Sequence, residues 1–202
     1  MQKNQSEGLE GVIGSGALAK LILHFAMHSG SPLHFRALQR HTQLGNRSLQ
    51  QELTKLIEWQ LVTREEANQV VSFRSNPASA RWKALRQLVR AFADPAEVLG
   101  EALRDVDGVE AAFVFGSSAR GQAREDSDVD LFILGDNIPA AQLGRATSAA
   151  ALLLDREVDV KRFTRSKLAR VLQQGDSGFV SAALKGPKRW IVGSDSALEV
   201  EA

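Results

Sequence analysis

The run Val109-Glu110-Ala111-Ala112-Phe113-Val114-Phe115 is apolar on both faces and stops abruptly at Gly116-Ser117-Ser118. A short apolar run bounded by such a break predicts a buried strand, and a buried strand must be covered by other elements. The flanking patterns predict them: a helix over 95–106, a strand at Val129–Leu134 and an Ala-rich helix over 138–154. A strand follows over 157–163, with Val158, Val160 and Phe163 set among charged residues, then helices within 166–184 and a last strand at Trp190–Val192. Strands and helices mixed in this way imply α+β or α/β packing.

The front of the chain reads differently. After a polar start expected to fray over 1–11, Ala17, Leu18, Leu21, Ile22 and Phe25 recur at helical spacing. Ser29-Gly30-Ser31-Pro32 breaks that helix, and Leu33, Phe35 and Leu38 predict a short second one. A third starts at Asn46, the expected cap, and buries Leu49, Leu53, Leu56 and Ile57. Two strands, 61–64 and 70–74, joined by a polar tip over 65–69, then predict a hairpin, and Trp82, Leu85, Leu88, Val89 and Phe92 a further helix. Three helices followed by a hairpin resemble a winged helix-turn-helix of the ArsR or MarR kind. The fold expected is therefore α+β, a winged helix-turn-helix over 12–93 followed by a small mixed-sheet domain over 94–194, with the boundary at Asp94-Pro95.

Charge divides at the same place. Residues 1–93 carry 12 Lys and Arg against 6 Asp and Glu, a formal +6, whereas residues 94–202 carry 13 against 18, a formal −5. A basic front half invites a polyanion partner. The absence of cysteine excludes disulfides, thiolate zinc sites and Cys nucleophiles. No apolar run approaches the roughly 20 residues that span a bilayer, and no signal-like segment opens the chain, so a cytoplasmic protein without a membrane partner is expected.

The chemistry-bearing stretch runs from the buried strand into Gly116-Ser117-Ser118-Ala119-Arg120-Gly121 and on to Asp126-Ser127-Asp128-Val129-Asp130. At Gly116 the missing side chain lets the backbone approach a ligand, and successive amides and hydroxyls there suit an anion such as a triphosphate. Asp128 and Asp130 stand two apart at the start of a strand, so both carboxylates leave one face while Val129 points inward. Two like charges so placed call for a cation, and magnesium, a hard ion shared with substrate phosphates, is the natural one. Asp159, between Val158 and Val160, is a third acid if its strand neighbours that of Asp128; three convergent carboxylates are what a two-metal displacement requires. Glu157 and Lys161 share the parity of Asp159, so an alternating exposed face is the competing reading, and Lys161 itself reads as solvated. Arg120 contacts phosphate or pairs with Glu125 or Asp126; both readings stay open.

These residues resemble the minimal nucleotidyltransferases of the polymerase-beta superfamily, whose signature is Gly-Ser, ten residues, then Asp-x-Asp. Gly116-Ser117, residues 118–127 and Asp128-Val129-Asp130 satisfy it over about half the chain, and Ala119-Arg120-Gly121 and Ser127-Asp128 match its commoner form. The resemblance implies that Asp128 and Asp130 ligate Mg2+, with two ions bound. It gives Asp159 as the third catalytic acid, and Gly116 and Ser117, with Arg120, as the receivers of a nucleoside triphosphate, ATP foremost.

The winged-helix resemblance implies that the third helix enters the DNA major groove, with Arg47, Gln50, Gln51 and Lys55 facing duplex DNA and Arg64 and Arg74 as wing phosphate contacts. Glu65 and Glu66 at the expected wing tip count against deep phosphate contact, and a dimerisation or packing module is the alternative. His24, His28, His34 and His41 cluster early; the i, i+4 spacing of His24 and His28 can chelate zinc, but with no HExxH pattern they read as structural or surface residues. Trp59 and Trp82 read as core aromatics.

The function expected is transfer of a nucleoside monophosphate from a triphosphate to an acceptor hydroxyl, in a homodimer that binds DNA. One alternative is a DNA-binding regulator whose second domain only senses a nucleotide; another is a toxin/antitoxin component that modifies a partner protein. With no tyrosine in the chain, self-modification on an aromatic hydroxyl is excluded.

Overall fold

Leu9, only 2% exposed, draws the chain into helix earlier than its polar start suggests. In the computed structural model, which describes residues 8–121, 127–174 and 178–199, Leu9–Ile13 forms helix α1, closed by Gly14 in the left-handed region. The expected frayed segment is thus helical from Leu9, and its first seven residues lie outside the described residues. The chain divides into two units, Met1–Asp94 and Pro95–Ala202.

In the first unit, helix α2 (Gly16–Met27) starts where the Ser15 hydroxyl accepts from the Leu18 amide at 3.3 Å, and it buries Leu18, Leu21, Ile22 and Phe25. Leu33 is not helical, as its spacing suggested. It lies after Pro32 in the short strand β1 (Leu33–His34), and helix α3 (Phe35–Thr42) begins only afterwards. Helix α4 (Asn46–Glu58) is capped by Gly45 rather than Asn46, whose Oδ1 instead accepts from Gln39 Nε2 at 2.7 Å. It buries Leu49, Leu53 and Leu56, with Ile57 half-buried.

Strands β2 (Val62–Ala67) and β3 (Val70–Ser75) pair antiparallel in a sheet of order β1-β3-β2. Asn68 and Gln69, at φ of 51° and 63°, close a two-residue turn whose twist matches that of the strands. Glu65 and Glu66 therefore belong to the β2 ladder, not to the tip as expected. Helix α5 (Ala80–Phe92), capped by Ser79, buries Trp82 and Val89, while Leu85 and Leu88 are half-buried. One aromatic expectation fails: Trp59, just past α4, is 45% exposed, whereas Phe92 ends α5 as part of the expected helix and is 44% exposed.

The second unit contains α6 (Pro95–Leu103), β4 (Ala111–Val114), the single turn α7 (Gly116–Ala119), β5 (Val129–Leu134), α8 (Ala140–Leu154) and β6 (Val158–Phe163). It continues with α9 (Arg165–Gln173), α10 (Phe179–Lys185), β7 (Arg189–Val192) and a 3-10 turn (Asp195–Leu198). The middle of the expected 166–184 helical segment, residues 175–177, lies outside the described residues. The sheet order is β6-β5-β4-β7, with β5 and β6 parallel and the other pairs antiparallel. The parallel pair needs a crossover, which α8 supplies. The result is a mixed α+β molecule.

One sheet face is an aromatic ladder. Phe113 stacks on Phe132 with centroids 4.7 Å apart, Phe132 on Phe163 at 5.1 Å, and Trp190 meets the Phe113 ring edge-on at 4.9 Å. Leu168 of α9 with Val180 and Ala183 of α10 cover this face. On the other face Gly100 of α6 lies against Ile191, and α6 packs on α8. No described helix is long and apolar enough to cross a membrane.

Phe132 stands at the centre of the ladder and is fully buried. Replacing it with alanine removes both stacked contacts and leaves a cavity in the sheet, so Phe132→Ala is expected to cost about 3–5 kcal/mol. Denaturant unfolding of the second unit followed by circular dichroism measures the loss; a cost below about 1 kcal/mol would show that the ladder does not organise this unit.

Candidate functional site

The end of β4 and the starts of β5 and β6 meet at one corner of the sheet. The Phe115 amide donates to the Asp130 carbonyl at 3.1 Å, and the chain then turns at Gly116 with a φ of 70°. A Cβ built on Gly116 would run into Asp130 Oδ2, with Asp130 Cγ 3.2 Å away. Both the left-handed backbone and this close approach require glycine.

Asp128 lies just before β5 and is exposed, Val129 is fully buried, and Asp130 is half-buried. The β5–β6 register sets Asp130 opposite Asp159, so their side chains leave the same face of the sheet. The strand adjacency on which convergence depends is therefore present. Asp159 also has a cation beside it: Lys161 Nζ lies 2.8 Å from its Oδ2. Lys161 is thus ion-paired, not simply solvated.

Electrostatics at this corner are unfavourable to charge. Burial, and then the neighbouring Asp159 carboxylate, push the Asp130 carboxyl above its ordinary range; Asp128 adds to the rise, while Lys161 and Arg120 oppose it. An all-oxygen set of close carboxylates, one of them costly to ionise, fits a hard divalent cation such as Mg2+. Asp128, Asp130 and Asp159 are the residues that could hold it.

The remaining predicted groups fall around this corner. Ser117 follows Gly116 in α7, and Arg120 ends that turn, exposed and near enough to Asp130 to act on its charge. Glu125 and Asp126, the suggested partners of Arg120, lie outside the described residues, as do 122–124 of the ten-residue spacer.

Sequence reading misses Arg156, just after α8. Its Nε donates to the Ser127 carbonyl at 2.5 Å, and its Nη2 to Ser118 Oγ at 3.0 Å and to the Asp128 carbonyl at 3.3 Å. This guanidinium joins the α7 turn to the start of β5. Burial lowers its pKa and the Asp128 charge partly restores it. Arg156 precedes a strand with no motif around it, so nothing in a single sequence marks it.

The residues expected to face DNA separate into two groups. Arg47, Gln50 and Gln51 are exposed on α4. Lys55 shares that helix but binds both Glu52 carboxylate oxygens at 3.0 Å. Arg64 and Arg74 lie on opposite faces of the hairpin, because Arg64 pairs in register with Phe73 and Arg74 with Thr63. Each is tied to a carboxylate, Arg64 to Glu66 at 2.9 Å and Arg74 to Glu65 at 3.5 Å, and Arg74 also donates to the Gly30 carbonyl at 2.8 Å.

Because the fold holds the Asp130 carboxyl above its ordinary range, its ionisation destabilises the folded chain. That penalty is absent while the group is protonated and grows as pH rises from the ordinary carboxylate range through the raised value. Without divalent cations, Asp130→Asn is therefore expected to melt at a higher temperature than wild type at neutral pH, the difference closing at acid pH. Coincident melting curves at neutral pH would remove the electrostatic account.

Residues 97–176 match the family described as Polymerase beta, Nucleotidyltransferase. No curated protein matches the chain. Among solved structures, one described as the crystal structure of the toxin-antitoxin with AMP-PNP is similar at 20% identity and a TM-score of 0.36, over 51% of this chain and 77% of that one. The second unit is thus similar, over 97–176, to polymerase beta nucleotidyltransferases, and the matched residues take in the whole Gly116, Asp128, Asp130 and Asp159 corner.

Proposed function

We propose that the second unit transfers a nucleoside monophosphate from a nucleoside triphosphate, ATP foremost, to an acceptor hydroxyl and releases pyrophosphate. The observation that carries this reading is the pairing of Asp130 with Asp159 beside the Gly116 turn, with Asp128 two residues before Asp130. Gly116 and Ser117 receive the triphosphate, with Arg120 toward its phosphates. Asp128, Asp130 and Asp159 hold two Mg2+ ions, which when bound neutralise charge on the phosphates and the leaving group. The acceptor oxygen bonds to the α-phosphorus, the bond from that phosphorus to the bridging oxygen of the β-phosphate breaks, and the hydroxyl proton passes to Asp159. Lys161, whose Nζ lies 2.8 Å from Asp159 Oδ2, stands beside the group that accepts this proton.

We also infer that residues 12–93 are a winged helix-turn-helix that brings the transferase to duplex DNA as a homodimer in the cytoplasm. The helix and strand order of the first unit and the exposed Arg47, Gln50 and Gln51 of α4 support this reading. Since Arg64 and Arg74 of the hairpin are already paired, α4 supplies most of the contact, through Arg47, Gln50 and Gln51 more than through Lys55, which is paired with Glu52. Salt titration should show Arg47→Ala reducing the log-log slope of affinity by about 0.9, one phosphate's worth, while Gln50→Ala and Gln51→Ala mainly relax sequence preference. Unchanged binding in all three variants would leave the first unit a packing or dimerisation module.

Calorimetry of triphosphate binding tests the catalytic corner. Joint replacement Asp128→Ala and Asp130→Ala is expected to abolish the magnesium dependence of binding. Asp159→Asn should retain binding but lower label transfer from a triphosphate to components of cell extract by about 10²–10⁴-fold. Magnesium-dependent binding by the double variant refutes the site; wild-type binding with nothing labelled in extract favours a nucleotide sensor over a transferase.

A further inference from the structure

Strand β6 is an edge of the second unit's sheet, bonded to β5 on one side only. Its backbone parity follows from two bonds at its ends: the Val129 amide donates to the Glu157 carbonyl at 2.8 Å, and the Gly135 amide to the Phe163 carbonyl at 3.0 Å. In a parallel pair alternate residues turn both backbone groups toward the partner, so Asp159, Lys161 and Phe163 face β5 while Val158, Val160 and Arg162 turn theirs away. Among the described residues no backbone bond reaches those outward amides and carbonyls. Such an edge is a template for another strand, and proteins usually blunt it with charge or proline. Strand β2, an edge of the first unit's sheet, is blunted in this way by Thr63, Arg64, Glu65 and Glu66, all exposed. At the centre of β6 stands Val160 instead, half-buried.

From this edge we propose that β6 pairs antiparallel with β6 of a second copy of this chain, joining the two sheets across a twofold axis at Val160. The strand itself selects that partner and that register. Only outward-facing residues can exchange bonds, so the permitted registers differ by two residues. With Val160 opposite the partner's Val160, Val158 and Arg162 exchange bonds with the partner's Arg162 and the partner's Val158. Asp159 then stands directly opposite the partner's Lys161, and Lys161 opposite the partner's Asp159, in the closer, non-hydrogen-bonded kind of pair. Opposite charges so placed stabilise a sheet and like charges destabilise it. Sliding by two residues either way sets Asp159 against the partner's Asp159, or Lys161 against the partner's Lys161. The register centred on the open edge is thus also the one in which the charges match.

The contact of Lys161 Nζ with Asp159 Oδ2 at 2.8 Å is kept, because acids and lysines of the two copies alternate in sign around the axis. Arg162 stays clear of this face: its Nη2 donates to the Ile138 carbonyl at 2.8 Å on the other side of the sheet. The pairing uses the same surface on both copies, so it closes at two and does not propagate. Each catalytic corner gains a second cation, the partner's Lys161, beside the acid to which the transfer step assigns the acceptor proton. This inference rests on the proposed homodimer and gives it a surface, one that needs neither DNA nor nucleotide. A single strand pair buries less than the roughly 1,200–2,000 Å2 of a standard interface, so the dimer should be reversible.

Sedimentation velocity of the full-length chain over a micromolar concentration series, without DNA, nucleotide or added metal, tests the interface. A monomer–dimer equilibrium is expected. Val160→Pro removes an outward amide that β5 does not use, at an edge position where proline is tolerated. It should raise the dimer dissociation constant at least about a hundredfold while native circular dichroism is kept. Lys161→Glu turns both cross-axis pairs into like charges and should weaken the dimer by about tenfold or more. Combining Asp159→Lys with Lys161→Asp restores opposite charges in the same register and should recover association. A wild-type chain that stays monomeric overturns both the interface and the homodimer. A dimer that persists unchanged in folded Val160→Pro or Lys161→Glu overturns the interface alone and leaves the homodimer standing. So does an exchanged pair that associates no more tightly than Lys161→Glu. If Val160→Pro does not fold, Lys161→Glu and the exchanged pair decide.

Discussion

Strand β5 is paired on both sides, antiparallel to β4 and parallel to β6, and the positions of the other groups in the second unit follow from that double pairing. An antiparallel partner ends where β5 begins, so the turn at Gly116 arrives beside Asp130. A parallel partner begins where β5 begins, so Asp159 arrives there too. A slip of one residue in the β5–β6 register would send Asp159 to the opposite face and put Val158 or Val160 beside Asp130. The register is held by the interior, because Val129, Leu131 and Ile133 are fully buried on one side and Phe132 and Leu134 on the other. The hydrophobic core thus sets the spacing of the carboxylates without touching them.

The same face of the sheet carries two opposite demands. Asp130 and Phe132 point the same way from β5, as Asp159 and Phe163 do from β6, so the surface passes from charge to stacked aromatic rings within a few residues. Nearness to that apolar region removes water from Asp130 and raises its proton affinity, an effect the adjacent carboxylates increase. Two cations restrain the repulsion in different ways. Lys161 neutralises Asp159 directly, whereas Arg156 acts on the backbone by holding the Ser127 and Asp128 carbonyls against Ser118. The resulting corner is electrostatically strained, and a bound cation would relieve the strain.

Much of this corner was legible from residue order. The β5 strand is a run of alternately packed apolar residues opened by Asp-x-Asp, and its limits, Val129–Leu134, coincide with the observed element. What remained hidden depends on distant partners. Arg156 follows a helix in a stretch with no pattern, and its role exists only because β6 brings the chain back beside the α7 turn. Leu33 has helical spacing to its neighbours, yet pairing with Phe73 across the sheet overrides it. Polarity at Glu65 and Glu66 lengthens the expected hairpin tip to five residues, yet both occupy an exposed strand, where polarity says nothing against pairing. Size alone places Trp59 in the core, but it is the C-cap residue just beyond the end of α4 and is exposed.

The first unit shows why a charge count and a charge surface differ. Its formal excess of +6 counts Arg64, Arg74 and Lys55 as available cations. Each is held instead by a carboxylate of its own unit: Glu66, Glu65 and Glu52. The exposed hairpin pairs contribute little to stability, as surface ion pairs generally do, but at short range they still cancel potential. A phosphate approaching the hairpin would have to displace a carboxylate that is already in place, whereas one approaching Arg47 on α4 meets a side chain beside neutral glutamines. The uncompensated positive charge of the unit therefore lies more on the α4 surface than on the hairpin, whose own acids are interleaved with its arginines.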